Sequence, residues 1–126
     1  MRVLILLLFV CFGLGIVFEK DNFMMKEGDR RYCGEDCILI FEKCTLSIGT
    51  TTIGIATIAM SDTNEYPCRL IYQDDGNLVM YYTYSYTHTS WLVTESVSKK
   101  TIAAWSKGLG SNQFYVDTKQ LKLVFS

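Results

Sequence analysis

The sequence contains little of the chemistry that most enzymes need. Its 126 residues include one histidine, His88, and one proline, Pro67, and they contain no phosphate-binding loop, dinucleotide fingerprint or N-glycosylation sequon. His88 lies in a Thr- and Ser-rich stretch with no partner motif beside it. Asp74 and Asp75 are adjacent, so on a strand they would point to opposite faces and could not flank one bond. We therefore predict no catalytic residue, no cofactor and no enzymatic activity.

A charge excess of either sign is also absent, as is any sustained helical period. The 12 Lys and Arg residues nearly balance 13 Asp and Glu residues, for a formal net charge of −1. Such a chain lacks the basic character that attracts a polyanion, so we predict no nucleic-acid partner. Short runs rich in β-branched and aromatic residues, separated by turn residues, predict an all-β domain.

The first residues have the composition of a secretory signal peptide. Arg2 gives a positive start, residues 3–10 are continuously apolar, and Gly13-Leu14-Gly15 supplies the small residues that signal peptidase needs. The apolar run is too short for a typical transmembrane helix, although an uncleaved membrane anchor is the alternative. We predict a signal peptide over residues 1–15, a single domain over residues 16–126, and secretion.

Four cysteines remain once the predicted signal peptide is removed: Cys33, Cys37, Cys44 and Cys68. An even number in a chain bound for an oxidising compartment favours disulfides. Zinc bound by Cys33, Cys37 and Cys44 is the alternative, but no histidine or second close cysteine pair accompanies them. We therefore predict disulfide stabilisation and no metal site.

Three segments of the chain share a strand–turn–strand pattern. Residues 73–81 alternate polar and apolar positions around the turn signal Asp75-Gly76-Asn77. Residues 32–41 repeat this shape 39 residues earlier around Glu35-Asp36, and a third copy follows the middle one at a constant offset of 44 residues. We infer three related β-units.

The middle unit alone keeps a complete row of polar side chains. Gln73, Asp75, Asn77 and Tyr81 have spacings that are multiples of two, which on strands would put them on one face of the sheet. Two amides, a carboxylate and a phenol offer hydrogen bonds that suit a polyhydroxylated ligand, whereas a solvated strand face is the alternative. In the third unit the equivalent positions hold Asp117, Lys119, Leu121 and Phe125.

A row of tyrosines follows the middle unit. Tyr82, Tyr84 and Tyr86 alternate at the start of a ribbon that continues to Trp91. A tyrosine row can form a binding platform, but it more often packs half-buried against a neighbouring strand. We expect packing here.

The middle unit resembles a known signature. The spacing Gln73-x-Asp75-x-Asn77-x-Val79-x-Tyr81 resembles the mannose-binding signature of the bulb-type (monocot, snowdrop-like) lectin family at all five positions. By this resemblance, Gln73, Asp75 and Asn77 would bond the O2 and O3 region of a mannose, Tyr81 would bond O4, and Val79 would pack against ring carbons. The resemblance covers the chain from about residue 32 to residue 125 and is weak outside the middle unit.

The resemblance also implies a fold and a disulfide. The fold is a β-prism II, made of three four-stranded antiparallel sheets with pseudo-threefold symmetry. Cys68 precedes the signature by the same five residues as the family's cysteine, and Cys37 lies where the family carries the partner. The resemblance therefore implies a Cys37–Cys68 bridge, which leaves Cys33 and Cys44 as a second pair.

The implied function is the recognition of terminal mannose on glycans or glycoproteins. The first unit has Gly34, Ile38 and Glu42 at the signature positions for glutamine, asparagine and tyrosine, so we expect one site per chain. One shallow site would bind on the order of millimolar, and a homo-oligomer would add avidity. The alternative is a lectin-like scaffold that binds no sugar and acts through protein–protein contact, with the tyrosine ribbon as its interface.

Overall fold

The computed structural model describes residues 15–61, 67–88 and 96–126, and these residues form strands without any helix. The all-β prediction is therefore confirmed for this part of the chain. Residues 1–14 of the predicted signal peptide lie outside it. No helix in the described part is long and apolar enough to span a bilayer. The strands are β1 (Phe18–Glu19), β2 (Met24–Lys26), β3 (Asp29–Gly34), β4 (Cys37–Glu42), β5 (Thr45–Thr50), β6 (Gly54–Met60), β7 (Cys68–Tyr72), β8 (Leu78–His88), β9 (Ser96–Lys107), β10 (Gln113–Asp117) and β11 (Lys122–Phe125).

The strands form three antiparallel sheets. The first sheet has the order β3-β4-β5-β6, the middle sheet β2-β7-β8-β9, and the third sheet β1-β10-β11. Two of them have the four strands that we expected, and the third has three strands among the described residues. Each sheet contains one of the three predicted hairpins, namely β3–β4, β7–β8 and β10–β11. The repeat offset is preserved, since β8 begins at Leu78 and β11 begins 44 residues later at Lys122.

The core is built from the inward-facing residues of the three sheets. Burial alternates along the strands. In β7, Cys68, Leu70 and Tyr72 are buried, whereas Arg69 is exposed and Ile71 is half-buried. Phe114 of the third sheet packs against Tyr72 of the middle sheet, with ring centroids 5.1 Å apart in an edge-on arrangement. Each large apolar side chain that is fully buried in this way contributes about 1.5–3 kcal/mol.

Both expected cysteine pairings are wrong. Cys33 is bonded to Cys37, with 5.0 Å between the Cα atoms, and Cys44 is bonded to Cys68, with 5.3 Å between the Cα atoms. A register shift between Tyr32 and the end of β3 turns the Cys33 side chain towards Cys37 across the hairpin. All four sulfur atoms are therefore used in disulfides, including the three considered above for zinc.

The Cys44–Cys68 disulfide joins the first and middle sheets beside the carboxylate of Glu27. That carboxylate accepts hydrogen bonds from the backbone N–H groups of Lys43 at 2.6 Å, Cys44 at 3.0 Å and Cys68 at 3.0 Å. Lys43 and Cys44 have left-handed backbone conformations, with φ of 52° and 53°. Glu27 thereby satisfies N–H groups in an irregular turn where no strand is available to pair with them.

The two disulfides should differ in their effect on stability. Cys44–Cys68 spans 24 residues and Cys33–Cys37 spans 4, and loop-closure entropy gives about 3.5 and about 2 kcal/mol respectively. We expect a Cys44→Ser/Cys68→Ser double variant to lose about 1.5 kcal/mol more unfolding free energy than Cys33→Ser/Cys37→Ser. Denaturant titration of both variants measures the difference. A peptide map that joins Cys37 to Cys68 would contradict the pairing itself.

Candidate functional site

The signature residues lie at the turn of the β7–β8 hairpin. Strand β7 ends before Gln73 and β8 begins after Asn77, so these two residues and Asp75 belong to the turn. The Gln73 N–H donates to the Asn77 carbonyl at 3.0 Å, and the Gly76 N–H donates to the Gln73 carbonyl at 2.9 Å. Asp75 Oδ1 accepts the Asn77 N–H at 2.9 Å, which is the local bond that Asp typically makes in a turn.

The prediction that all four polar residues share one face of a strand is therefore wrong in its geometry. Only Tyr81 lies on a strand, whereas Gln73, Asp75 and Asn77 lie in the turn that precedes it. The structure nevertheless brings two of them together, because the Gln73 Nε2 group donates to the Tyr81 hydroxyl oxygen. Asp75 is exposed, and the Asn77 side chain is half-buried.

Val79 lies on the same outer face as Tyr81, since side chains along β8 alternate between faces. Its neighbours Leu78 and Met80 point into the core and are fully buried. Val79 itself is only 3% exposed. It therefore offers little free surface to the ring carbons of a sugar.

The turn is held in place by the loop that follows β9. The Ser111 hydroxyl donates to the Gly76 carbonyl at 2.9 Å and lies 2.6 Å from the Tyr72 hydroxyl. The Gly110 N–H donates to the Asp75 carbonyl at 2.9 Å. Ser111 and Tyr72 are both buried, so these bonds are shielded from water. Gly110 and Ser111 thus hold the turn that carries Asp75 and Asn77 in one conformation, which is typical of a preformed binding site.

A cleft of about 520 Å³ opens beside the turn and reaches one signature residue, Gln73. Its other walls include Asp21, Met24, Arg31 and Ile71. The Arg31 guanidinium donates to the Met24 carbonyl at 2.8 Å. No sequence motif predicts this wall, because it depends on β2 pairing with β7 across more than forty residues of chain.

Asp21 adds an acidic pair at the rim of this cleft. Its N–H donates to the Tyr72 carbonyl at 2.9 Å, and its backbone has a left-handed φ of 68°. Desolvation, together with the charge of Asp74 and a hydrogen bond to it, raises the pKa of Asp21 above its ordinary value of 3.8. The neighbouring Asp74 thus disfavours the charged form of Asp21.

The corresponding turns of the other two hairpins have different contacts. In the first, Asp36 Oδ1 accepts hydrogen bonds from both the N–H and the hydroxyl of Thr51, each at 2.9 Å, and these bonds lower the pKa of Asp36. In the third, Asp117 Oδ1 accepts the Lys119 N–H at 2.9 Å. Asp75 and Asp117 thus fix the backbone of their own hairpin turns, whereas Asp36 bonds Thr51, which follows β5. Of these three turns, the middle one combines its aspartate with two amides and a phenol.

The tyrosine ribbon extends the middle sheet as two strands. Beyond the Cys68–Tyr82 pair, β8 is bonded to β9 alone. Tyr82 is half-buried against the core, and the half-buried ring of Tyr84 lies 6.3 Å from it. The expectation of packing is thus met at Tyr82. Residues 89–95, including Trp91, lie outside the described residues, as does the side chain of Tyr86.

Comparisons with protein-family models, with curated proteins and with solved structures found no match to this chain.

The contact between Gly76 and Ser111 gives a prediction about the turn. A Cβ on Gly76 would lie 2.1 Å from the Ser111 carbonyl oxygen, and its φ is 81°. Gly76→Ala should therefore lose about 3 kcal/mol or more of unfolding free energy. Gly110→Ala is the matched control, because its φ is 89° but nothing lies within 4 Å of the added Cβ. It should lose about 1–2 kcal/mol, from backbone strain alone. Equal losses in the two variants would refute the close-packed turn.

The raised pKa of Asp21 gives a pH-dependent prediction. The folded protein binds the Asp21 proton more tightly than the unfolded chain does, so this group lowers stability as pH rises above 3.8. Asp21→Asn removes that loss, and asparagine tolerates the left-handed backbone. The variant should unfold at a higher temperature than the parent near neutral pH, and the difference should vanish well below 3.8. In an Asp74→Asn background the gain should shrink, and an unchanged gain would show that Asp74 does not cause it.

Proposed function

We propose that this chain is a secreted, bulb-type lectin-like protein of β-prism II architecture that binds terminal mannose through its middle sheet. The observation that carries the proposal is the preformed turn of the middle hairpin. There Asp75 and Asn77 are fixed by backbone bonds, and Gln73 contacts Tyr81. The three antiparallel sheets and their three hairpins at repeating offsets support the architecture.

The chemistry of the turn suits a vicinal pair of hydroxyl groups. Asp75 uses one carboxylate oxygen for the Asn77 N–H, which leaves the other to accept from a ligand hydroxyl. The Asn77 carboxamide has no hydrogen bond to the described part of the protein, so it can donate to one ligand oxygen and accept from another hydroxyl. An epimer that misplaces one hydroxyl would leave such a group unpaired, at a cost of about 1–3 kcal/mol.

The site is shallow, which limits what one copy can achieve. Val79 is nearly covered, so few ring carbons could be buried against the protein. Affinity would come mainly from hydrogen bonds that are exchanged with water, and each contributes about 0.5–1.5 kcal/mol. The binding partners that we propose are therefore multivalent mannose-bearing glycans or glycoproteins, on which many weak contacts add up.

Secretion is part of the same proposal. Two disulfides within one chain are compatible with an extracellular protein, since thiols are kept reduced in the cytosol. The composition of residues 1–15 supports a cleaved signal peptide.

The second candidate is a lectin-like scaffold that acts by protein contact. The two-stranded extension of β8 and β9 favours it, because it projects beyond the sheet.

Binding to mannose-agarose tests the proposal. The parent should be retained and should elute with free mannose, whereas a variant with both Asp75→Asn and Asn77→Ala should pass through. Tyr81→Phe, which removes only the hydroxyl oxygen, should weaken binding about 5–10-fold in a glycan titration.

Asp117→Asn is the control for these variants. Asp117 also fixes a hairpin turn through an Oδ1 bond, in the third sheet, so any general effect on turn stability appears there as well. Retention of Asp117→Asn with loss of the Asp75/Asn77 variant assigns the effect to the middle site. A parent that does not bind, or an Asp75/Asn77 variant that binds unchanged, would overturn the lectin function and leave the scaffold candidate.

A further inference from the structure

The outer face of the first sheet carries an apolar row across its four strands. Strand pairing aligns Tyr32 with Ile38, Ile38 with Gly49 and Gly49 with Ile55, so these residues form one line across all four strands. We call this line the Tyr32 row. Its two end residues, Tyr32 and Ile55, are each 72% exposed. Ile38 between them is half-buried and Gly49 is buried. Large apolar side chains that are exposed together on one sheet face are typical of an interaction site.

The centre of the Tyr32 row is recessed. Gly49 leaves a gap there, and a cleft of about 420 Å³ lies over it, with Ile38, Ile40 and Ile55 among its walls. An added Cβ on Gly49 would come within 3.0 Å of an Ile38 methyl group, so a glycine is needed for the walls to close around the gap. The surface therefore combines protruding apolar side chains at the ends with a hollow between them.

Opposite charges lie on the two sides of the row. Arg30 precedes Tyr32 by two residues on β3, and Glu35 follows it in the β3–β4 turn. Both side chains line the same cleft. Neither forms an ion pair or a side-chain hydrogen bond with another residue that the structure describes. A cation and an anion thus flank the apolar row without a partner in this part of the chain.

We propose that this face is the interface of a symmetric homodimer. The two-fold axis lies along the Tyr32 row, in the plane where the two copies meet. Rotation about this axis places one side of the row of one copy against the other side of the row of the second copy. Arg30 of one copy then meets Glu35 of the second copy, and the reverse pair forms on the other side. The row itself packs against the same row of the second copy. This self-complementary charge pattern identifies a second copy of the chain, rather than an unrelated protein, as the occupant.

The size of the surface predicts a weak dimer. Four strands about 4.8 Å apart and three rows of side chains about 6.8 Å apart cover roughly 400 Å² on each copy. The total of roughly 800 Å² is below a standard protein interface and suits a dissociation constant of tens of micromolar or weaker. The inference depends on the first sheet alone and not on sugar binding, although a dimer would present two middle sheets in one particle.

Sedimentation velocity on the full secreted chain tests the interface. The parent should shift from monomer to dimer as concentration rises across the expected dissociation constant, and Tyr32→Ser or Ile55→Ser should weaken association at least tenfold. Leu109→Ser is the matched control, because Leu109 is 73% exposed but lies in the loop after β9. A parent that stays monomeric, or a Tyr32→Ser variant that still dimerises as the parent does, would overturn the proposal.

Charge reversal tests the two-fold arrangement and separates it from binding to another protein. Arg30→Glu and Glu35→Arg should each weaken their own homodimer, because like charges then meet across the axis. An equimolar mixture of these two variants should associate again, since each charge meets its opposite, and the double variant Arg30→Glu/Glu35→Arg should also dimerise. A mixture and a double variant that both remain monomeric would overturn the self-complementary interface.

Discussion

The carboxylate of Glu27 is the point on which the union of two sheets depends. Glu27 lies between β2 of the middle sheet and β3 of the first sheet. Its oxygens accept the N–H groups of Lys43 and Cys44 from the first sheet and of Cys68 from the middle sheet. The turn at Lys43 and Cys44 is left-handed and cannot join a strand ladder. Without the Glu27 carboxylate the partly buried N–H groups of Cys44 and Cys68 would lose this acceptor, at about 1–3 kcal/mol each. The Cys44–Cys68 disulfide adds a covalent link at the same place. The third sheet joins the others by aromatic packing instead.

The sequence was a good guide to what depends on local periodicity. Alternation of apolar residues with a period of two predicted an all-β chain, and the turn at Asp75-Gly76-Asn77 is where the middle hairpin reverses. The offset of 44 residues predicted a third hairpin whose second strand begins at Lys122. These features follow from neighbouring residues along the chain, so one sequence contains the information for them.

What the sequence did not reveal depends on which strands become neighbours. The cysteine pairing was wrong because a register shift near Tyr32 and the contact between sheets decide which sulfur atoms meet. The alternation of the polar row predicts a strand, but that alternation continues through a turn, because β7 ends at Tyr72. The hydrogen bond from Ser111 to the Gly76 carbonyl is not predictable either, since the serine lies 35 residues beyond Gly76 and no motif marks it.

The hydrogen bond between Gln73 and Tyr81 has a consequence for any ligand of the middle hairpin. Each of these side chains already serves as the hydrogen-bond partner of the other, so any ligand of the turn would have to displace a bond that the protein makes within itself. A ligand gains only the difference between the bonds it offers and the one that it displaces. A hydroxyl group, which donates and accepts at once, can insert between the amide and the phenol and keep both satisfied. A group that only accepts can also bridge the two, because the phenol can donate, whereas a group that only donates leaves the Gln73 N–H without its acceptor, so the contact disfavours ligands that only donate.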